Sequence, residues 1–146
     1  MKGELKMKKG SKLLMVGLAV ALVLPACAQQ KKSAKAGTGL QRIHFDFDKS
    51  SIKPEFESVL QSNAAWAQSH SRKKVSVEGH CDERGSNEYN VALGDRRANV
   101  SKNYLITLGV STDRLSTVSY GEEKGVATCH DESCWWQNRR AEFVAQ

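Results

Sequence analysis

Potentially reactive side chains are concentrated in the segment EGHCDERGSNEYNVALGDRRA, which runs from Glu78 to Ala98. Its twenty-one residues include a histidine, a cysteine, five acids and three arginines. Residues of these types can ligate a metal, form an acid–base or nucleophilic centre, or hold a charged ligand. Which of these applies depends on the compartment of the protein and on the elements that position the segment.

The N-terminal 26 residues are typical of an export signal. Five lysines precede the apolar run LLMVGLAVALVL, residues 13–24. Twelve apolar residues are too few to span a bilayer, which needs about 20, whereas a basic head, a short apolar core and small residues are typical of a secretory signal. The run ends in LPAC, which resembles the lipobox of bacterial lipoproteins. Cys27 is therefore predicted to carry the lipid, the alternative being an ordinary cleavage site with a chance cysteine.

The net charge argues against nucleic-acid binding. The intact chain carries a formal charge of +6, but five lysines lie in the signal and three more lie in the polar stretch QQKKSAKAGTG that follows Cys27. This stretch has no apolar periodicity and is predicted to be a linker. The remaining domain is close to neutral, so it has no basic stripe for phosphates.

Apolar periodicity beyond the linker predicts alternating strands and helices. The predicted strands are IHFDF (43–47), KVSVEGH (74–80), LSTVSY (115–120) and RRAEFV (139–144), the last after an irregular stretch. A first helix follows Pro54, with an apolar face of Phe56, Leu60, Ala64 and Ala67. A second helix is capped by Ser86 and ended by Gly109, with a stripe of Tyr89, Leu93, Val100 and Tyr104. The order βαβαβ-loop-β predicts an α+β domain, a mixed sheet with helices packed on one face.

Several motifs resemble the OmpA-like family of peptidoglycan-binding domains: GHCDERGSNEYNVALGDRRA, the downstream DRL and YGEE, and the late NRRAEF. The resemblance covers Leu40 to Gln146, and the lipobox and linker match the layout of the family's lipoprotein members. It divides the chain into a signal peptide (1–26), a lipidated cysteine with a flexible linker (27–39) and the wall-binding domain (40–146). It implies noncovalent binding of the diaminopimelate in peptidoglycan stem peptides, without a cofactor.

The resemblance also implies a cellular role. Lipoproteins of this family carry palmitate-type acyl chains, face the periplasm and tether the outer membrane to the cell wall. Their partners include TolB and other proteins of the Tol system, which acts in envelope integrity and cell division. Ala28 after the lipidated cysteine favours the outer membrane, because some bacteria use an aspartate there to retain a lipoprotein in the inner membrane. A wall-binding lipoprotein without a Tol partner is the alternative.

The family motif assigns site residues in this sequence. The resemblance implies that Asp82 binds the ammonium of diaminopimelate and that Arg97 forms a bidentate contact with its carboxylate. Only the family register favours Arg97 over the adjacent Arg96. The resemblance also implies the other residues of the pocket: Phe47 and Asp48 form its walls, Leu93 forms an apolar floor and Arg84 contacts the ligand at the rim. The structural alternative is a salt bridge between Asp82 and Arg97, which we also expect when the site is empty.

Metal binding and catalysis are the rival interpretations. A metal site would draw on His80, Cys81, Cys129, His130 and Cys134. Export to an oxidising compartment instead favours a disulfide between Cys129 and Cys134, which leaves Cys81 as a small, unreactive residue. A hydrolase would need a nucleophile with its base. Cys81 beside His80 is a poor candidate, because neighbours on a strand point to opposite faces. We therefore expect a binding protein without metal or enzymatic activity.

Overall fold

The computed structural model describes residues 39–146. The predicted signal peptide, Cys27 and the linker up to residue 38 lie outside the described residues. The domain contains a four-stranded sheet of β1 (Ile43–His44), β2 (Val75–His80), β3 (Leu115–Gly121) and β4 (Arg140–Ala145), in the order β1-β4-β2-β3. Strand β4 is antiparallel to both of its neighbours, whereas β2 and β3 are parallel. The predicted mixed sheet is confirmed.

In the part of the chain that the structure describes, three α-helices accompany the sheet: α1 (Glu57–Ser69), α2 (Asn87–Thr107) and α3 (Glu132–Asn138). A short 3₁₀ turn with Pro54 at its first position leads into α1. The predicted N-cap of α2 is present, since the Oγ atom of Ser86 accepts the backbone N–H of Tyr89 at 3.2 Å. The helix ends at Thr107, and Gly109 takes the left-handed conformation (φ 92°) that turns the chain away. Within residues 39–146, none of the helices combines the length and the hydrophobicity that a membrane span requires.

The hydrophobic core lies between helices α1 and α2 and one face of the sheet. Register places Val75 beside Leu115 and Val77 beside Phe143, so these four side chains share the covered face. The buried cluster comprises Ile43, Phe45, Leu60, Ala64, Ala67, Val75, Val77, Ala98, Leu105, Val110, Leu115, Ala141 and Phe143. The prediction that both of these helices pack on one face of the sheet is therefore confirmed.

Two glycines bring α2 unusually close to β2. A Cβ atom added to Gly79 of β2 would lie 1.8 Å from the carbonyl oxygen of Gly94 in α2. A Cβ on Gly94 would lie 2.3 Å from the Oγ atom of Ser119 in β3. Glycine inside a helix costs about 1 kcal/mol relative to alanine. Here the absence of side chains at Gly79 and Gly94 permits direct contact of the helix and strand backbones. The contact fixes where the first turns of α2 lie relative to the end of β2.

Two elements differ from their predictions. Strand β1 is only two residues long, because after Phe45 the chain turns through residues 46–49, where Asp48 has a φ of 55°. The stretch predicted as irregular contains α3, whose N-cap is Asp131; its side chain accepts the backbone N–H of Ser133 at 2.8 Å. This helix has only seven residues, too few for a periodic apolar stripe to show in the sequence.

Candidate functional site

An open pocket of about 180 Å³ lies where β2 ends and α2 begins. Only six residues separate the two elements, so the first three turns of α2 return over the end of the strand. The structure brings all six predicted binding residues together in the lining of this pocket, which consists of Phe47, Asp48, Cys81, Asp82, Arg84, Gly85, Tyr89, Asn90, Leu93 and Arg97.

Arg97 is a fully buried cation that is held by neutral groups. Its exposed fraction is 0%, and its Nε atom donates to the carbonyl of Lys49 at 2.9 Å. Its Nη1 atom donates to the carbonyl of His80 at 2.8 Å and to the Sγ atom of Cys81 at 3.4 Å. Its Nη2 atom donates to the carbonyl of Asp46 at 3.2 Å. Three main-chain carbonyls and one thiol, all uncharged, therefore orient the guanidinium.

No acidic side chain of residues 39–146 forms an ion pair with Arg97. Burial lowers the pKa of Arg97 from its usual value, but a guanidinium stays charged in proteins. A buried charge is normally paired, because leaving it unpaired costs free energy. Since Arg97 lines an open pocket, the arrangement is suited to an anion that enters from outside.

Asp82 is the buried anion of the pocket, with an exposed fraction of 3%. Its Oδ1 atom accepts the backbone N–H of Arg84 at 3.1 Å and the Nε atom of that residue at 3.0 Å. Its Oδ2 atom accepts Arg84 Nη2 at 2.7 Å and Arg139 Nη1 at 3.2 Å. Burial alone would raise the pKa of Asp82, but these hydrogen bonds outweigh it and hold the pKa below its usual value. The side chain is therefore a carboxylate at neutral pH.

The expected pairing of Asp82 with Arg97 is not formed. Asp82 instead pairs with Arg84 and Arg139, because Arg139 lies directly before β4, the strand next to β2, and its guanidinium reaches the carboxylate. The structural salt bridge between loop and helix that we considered as the alternative is thus absent. Asp82 and Arg97 both line the pocket, and each is held in place by other groups.

The pocket walls combine aromatic and polar groups. Phe47 is 53% exposed, and the guanidinium of Arg84 stacks 3.9 Å from its ring centroid and 4.0 Å from that of Trp135. The carboxylate of Asp48 accepts the hydroxyl of Tyr89, a residue that we predicted as part of the apolar stripe of α2. Leu93 is buried beneath these groups, at the position predicted for the apolar floor.

Sequence reasoning missed the groups that α3 and Arg139, the residue directly after α3, bring into contact with Asp82 and the loop around it. Arg139 contacts Asp82 directly, and Glu132 of α3 accepts hydrogen bonds from Arg139. Trp135 donates its Nε1–H to Glu83 at 2.9 Å. The sequence offers one indication of this role for Arg139: a charged residue stands at the start of a predicted strand (139–144), where a buried charge needs a partner. The predicted disulfide between Cys129 and Cys134 is present and closes the turn that contains Glu132.

The surroundings of Cys81 and His80 can be compared with those of a catalytic pair or a metal site. Burial raises the pKa of the Cys81 thiol to about 11 and lowers the pKa of His80 to about 4. Cys81 donates to the carbonyl of Asn90, whereas the ring of His80 stacks against Tyr120. The thiol is therefore protonated, and it bonds to Asn90 and Arg97 and not to the imidazole, unlike an activated nucleophile. Within the described domain, no three His, Cys, Asp or Glu side chains are grouped so that they could hold a metal ion.

Comparison with known proteins places these features in context. The OmpA family pattern matches residues 44–139. The peptidoglycan-associated lipoprotein of Pasteurella multocida is 45% identical over 147 residues, covering 92% of this chain and 97% of the relative. That of Rhizobium meliloti is 40% identical over 151 residues, covering 90% and 86%.

Solved structures agree with the sequence relatives. The peptidoglycan-associated lipoprotein from Burkholderia pseudomallei superimposes with a TM-score of 0.71 at 42% identity, covering 73% of this chain and 90% of that protein. The C-terminal domain of Helicobacter pylori MotB superimposes with a TM-score of 0.69 at 23% identity, covering 74% and 85%. The second similarity shows a shared fold.

Proposed function

Because this chain belongs to the OmpA family, and within it to the peptidoglycan-associated lipoproteins, we propose that it binds peptidoglycan noncovalently through the Asp82–Arg97 pocket. The family is one of structural binding proteins, so the chain is not an enzyme. The ligand that we propose is the free end of diaminopimelate in a stem peptide, where an ammonium and a carboxylate share one carbon.

The buried charge of Arg97 is the observation that carries this proposal. It lines the pocket without an acidic partner in the described domain, and Asp82 presents a carboxylate in the same pocket. A group with both an anion and a cation on one carbon would satisfy both side chains at once. A ligand carboxylate on Arg97 gains charge-assisted hydrogen bonds, and an ammonium on Asp82 gains the same. The exposed ring of Phe47 is suited to cover the apolar part of the ligand.

The proposal extends to the outer membrane. An acyl anchor on Cys27 and a linker up to Gly39 would hold the wall-binding domain (40–146) in the periplasm. The twelve linker residues, 28–39, span about 40 Å when extended. We propose that the protein tethers the outer membrane to the wall in this way. Partnership with TolB and other Tol proteins, and a role in cell division, are the finer part of the proposal. A pulldown with TolB tests that part separately.

The test of wall binding is sedimentation of the detergent-extracted full chain with purified sacculi, followed by competition with defined muropeptides. We expect a muropeptide with diaminopimelate to release the protein. A matched muropeptide with lysine in the same position keeps the ammonium but lacks the carboxylate on that carbon, and it should compete at least 10-fold less well, as the loss of a charged hydrogen bond implies. Equal competition by the two muropeptides, or no sedimentation, would overturn the proposal. Release of soluble muropeptides would instead indicate a hydrolase.

A further inference from the structure

Two carboxylates and two guanidinium groups form one cluster at the edge of the pocket, and two of its members, Asp82 and Arg84, line the pocket. Arg84 lies 2.7 Å from Asp82 and 3.7 Å from Glu132 (Nη2 to the nearest oxygen of each). Arg139 bridges the same two acids, with its Nη1 atom 3.2 Å from Asp82 and 3.3 Å from Glu132. Asp82 therefore shares both of its cationic partners with a second acid.

The second acid changes what Asp82 can offer to a ligand. Asp82 with Arg84 and Arg139 alone would be a cluster with one excess positive charge, which repels an ammonium. Glu132 brings the cluster to neutrality and shares both guanidinium groups with Asp82. The hydrogen bond from Arg139 holds the pKa of Glu132 below its usual value, so this side chain is charged at neutral pH. The cluster as a whole is then neutral, so it no longer repels an ammonium that approaches Asp82.

A closed turn holds Glu132 in place. It is the first residue of α3, and the disulfide between Cys129 and Cys134 encloses it, with a Cα–Cα distance of 5.5 Å. The same segment is attached to the loop after β2 through Glu83, which contacts His130 at 2.7 Å and Trp135 at 2.9 Å. These contacts hold the segment against the loop that contains Asp82.

Resting on the proposed function, we propose that Glu132 is a specificity-determining residue of this site. It compensates the charge of Arg84 and Arg139 so that Asp82 remains able to bind the ammonium of the ligand. The disulfide-closed turn, residues 129–134, positions Glu132 for this task. Glu132 itself lies outside the pocket lining and is largely exposed, so it acts on the ligand through the two arginines.

The test compares Glu132→Gln with wild type in calorimetric binding of a diaminopimelate-containing muropeptide to the detergent-extracted full chain. Because Glu132 is exposed, the substitution is expected to leave the fold intact. We expect affinity to fall about 3- to 10-fold, at the lower end of the coupling between residues of one salt-bridge network. The same muropeptide with its free amine acetylated should bind both proteins with nearly equal, weak affinity. Gln137→Ala is the control and should bind like wild type, because the side chain of Gln137 lies on the same helix and donates to the carbonyl of Ser133.

The role of the disulfide is tested with the double variant Cys129→Ser/Cys134→Ser. Like Glu132→Gln, it should lose affinity for the muropeptide with a free amine and bind the acetylated muropeptide about as weakly as wild type does. In an Asp82→Asn background, Glu132→Gln should have less than about a twofold further effect, since its target is gone. Wild-type affinity in Glu132→Gln would overturn the inference, and so would an equal loss for the acetylated ligand. If wild type itself does not bind the muropeptide, the proposed function fails; if wild type binds and only Glu132→Gln is without effect, the inference fails alone.

Discussion

Arg97 and Asp82 line the same pocket, yet they are held by different kinds of partner. Main-chain carbonyls and a thiol orient Arg97 and leave its charge uncompensated. Two guanidinium groups orient Asp82, and Asp82 shares both of them with Glu132. At the scale of single residues, the site is therefore prepared more strongly for the carboxylate of a ligand than for its ammonium.

Substitution of either residue should weaken wall binding. Asp82→Asn keeps the shape but removes the negative charge, and Arg97→Lys keeps the charge but loses the planar fork. We expect affinity for a diaminopimelate-containing muropeptide to fall about 10- to 100-fold, corresponding to about 1.5–3 kcal/mol, as measured by calorimetry. The adjacent Arg96→Lys is the matched control, because Arg96 is exposed and outside the pocket lining. Unchanged affinity in well-folded Asp82→Asn and Arg97→Lys proteins would contradict the assignment.

Asp82 should also make stability depend on pH. Its pKa in the folded protein lies below the value of about 3.9 in an unfolded chain. Its ion pairs therefore stabilise the fold fully above that value, and the contribution is lost as pH falls through the folded-state pKa. We expect Asp82→Asn to lower the free energy of unfolding by about 1–3 kcal/mol at pH 7, with a smaller difference at pH 3. Urea denaturation of both proteins at the two pH values measures this. A difference that grows on acidification would show that Asp82 is not a stabilising carboxylate.

At the scale of elements, the contact of α2 with β2 determines the shape of the pocket. The end of β2 leads into the loop with Asp82, and α2 provides Leu93 and Arg97. Backbone contact between Gly79 and Gly94 sets the distance between these elements. Any side chain at this crossing must push the helix away from the sheet and open the pocket.

Gly79→Ala should therefore damage both stability and binding. Its Cβ atom would lie 1.8 Å from the main-chain oxygen of Gly94, which cannot move aside without the helix. We expect a loss of about 1–3 kcal/mol in the free energy of unfolding, the usual cost of overpacking, together with weaker muropeptide binding. Gly125→Ala is the control, because its added Cβ would have ordinary contacts of 3.5 Å or more. Denaturation and calorimetry measure the two effects; a Gly79→Ala protein as stable as Gly125→Ala would contradict the role of the crossing.

At the scale of the whole molecule, the proposed tether needs a membrane anchor and a wall-binding domain on one chain. A lipid at Cys27 would raise the effective concentration of the domain near the wall, because a short linker confines its reach. Two or more acyl chains make such an anchor stable. Neither end alone would connect the two layers.

Cys27→Ser should therefore release the protein from the membrane while leaving muropeptide binding intact. In cells that carry only this variant, we expect increased vesicle release and leakage of periplasmic proteins, together with loss of the protein from the membrane fraction. Ser33→Ala, within the same predicted linker, is the control and should behave like wild type. Mass spectrometry of the membrane-extracted wild-type protein should detect acyl groups on Cys27. An intact envelope in the Cys27→Ser strain would argue against the tether.

Much of the site followed from the sequence because its main parts are adjacent in the chain. Strand β2 and helix α2 are joined by six residues, and their periodicity and the Ser86 cap predict both elements. The family motif, which spans this junction, supplied Asp82, Arg84, Leu93 and Arg97 together. Residues that are close in sequence at a strand–helix junction stay close in space, so this part of the pocket needs little tertiary information.

The tertiary structure alone decided the partners and burial of these residues. Arg139, 57 positions after Asp82, reaches its carboxylate only because β4 lies next to β2 in the sheet. Glu132 joins the cluster through a helix too short to leave a periodic signal. Arg97 is bonded to carbonyls of the turn after β1 rather than to Asp82. Ion pairing depends on distances of a few ångströms between distant segments, and local sequence patterns contain no such distances.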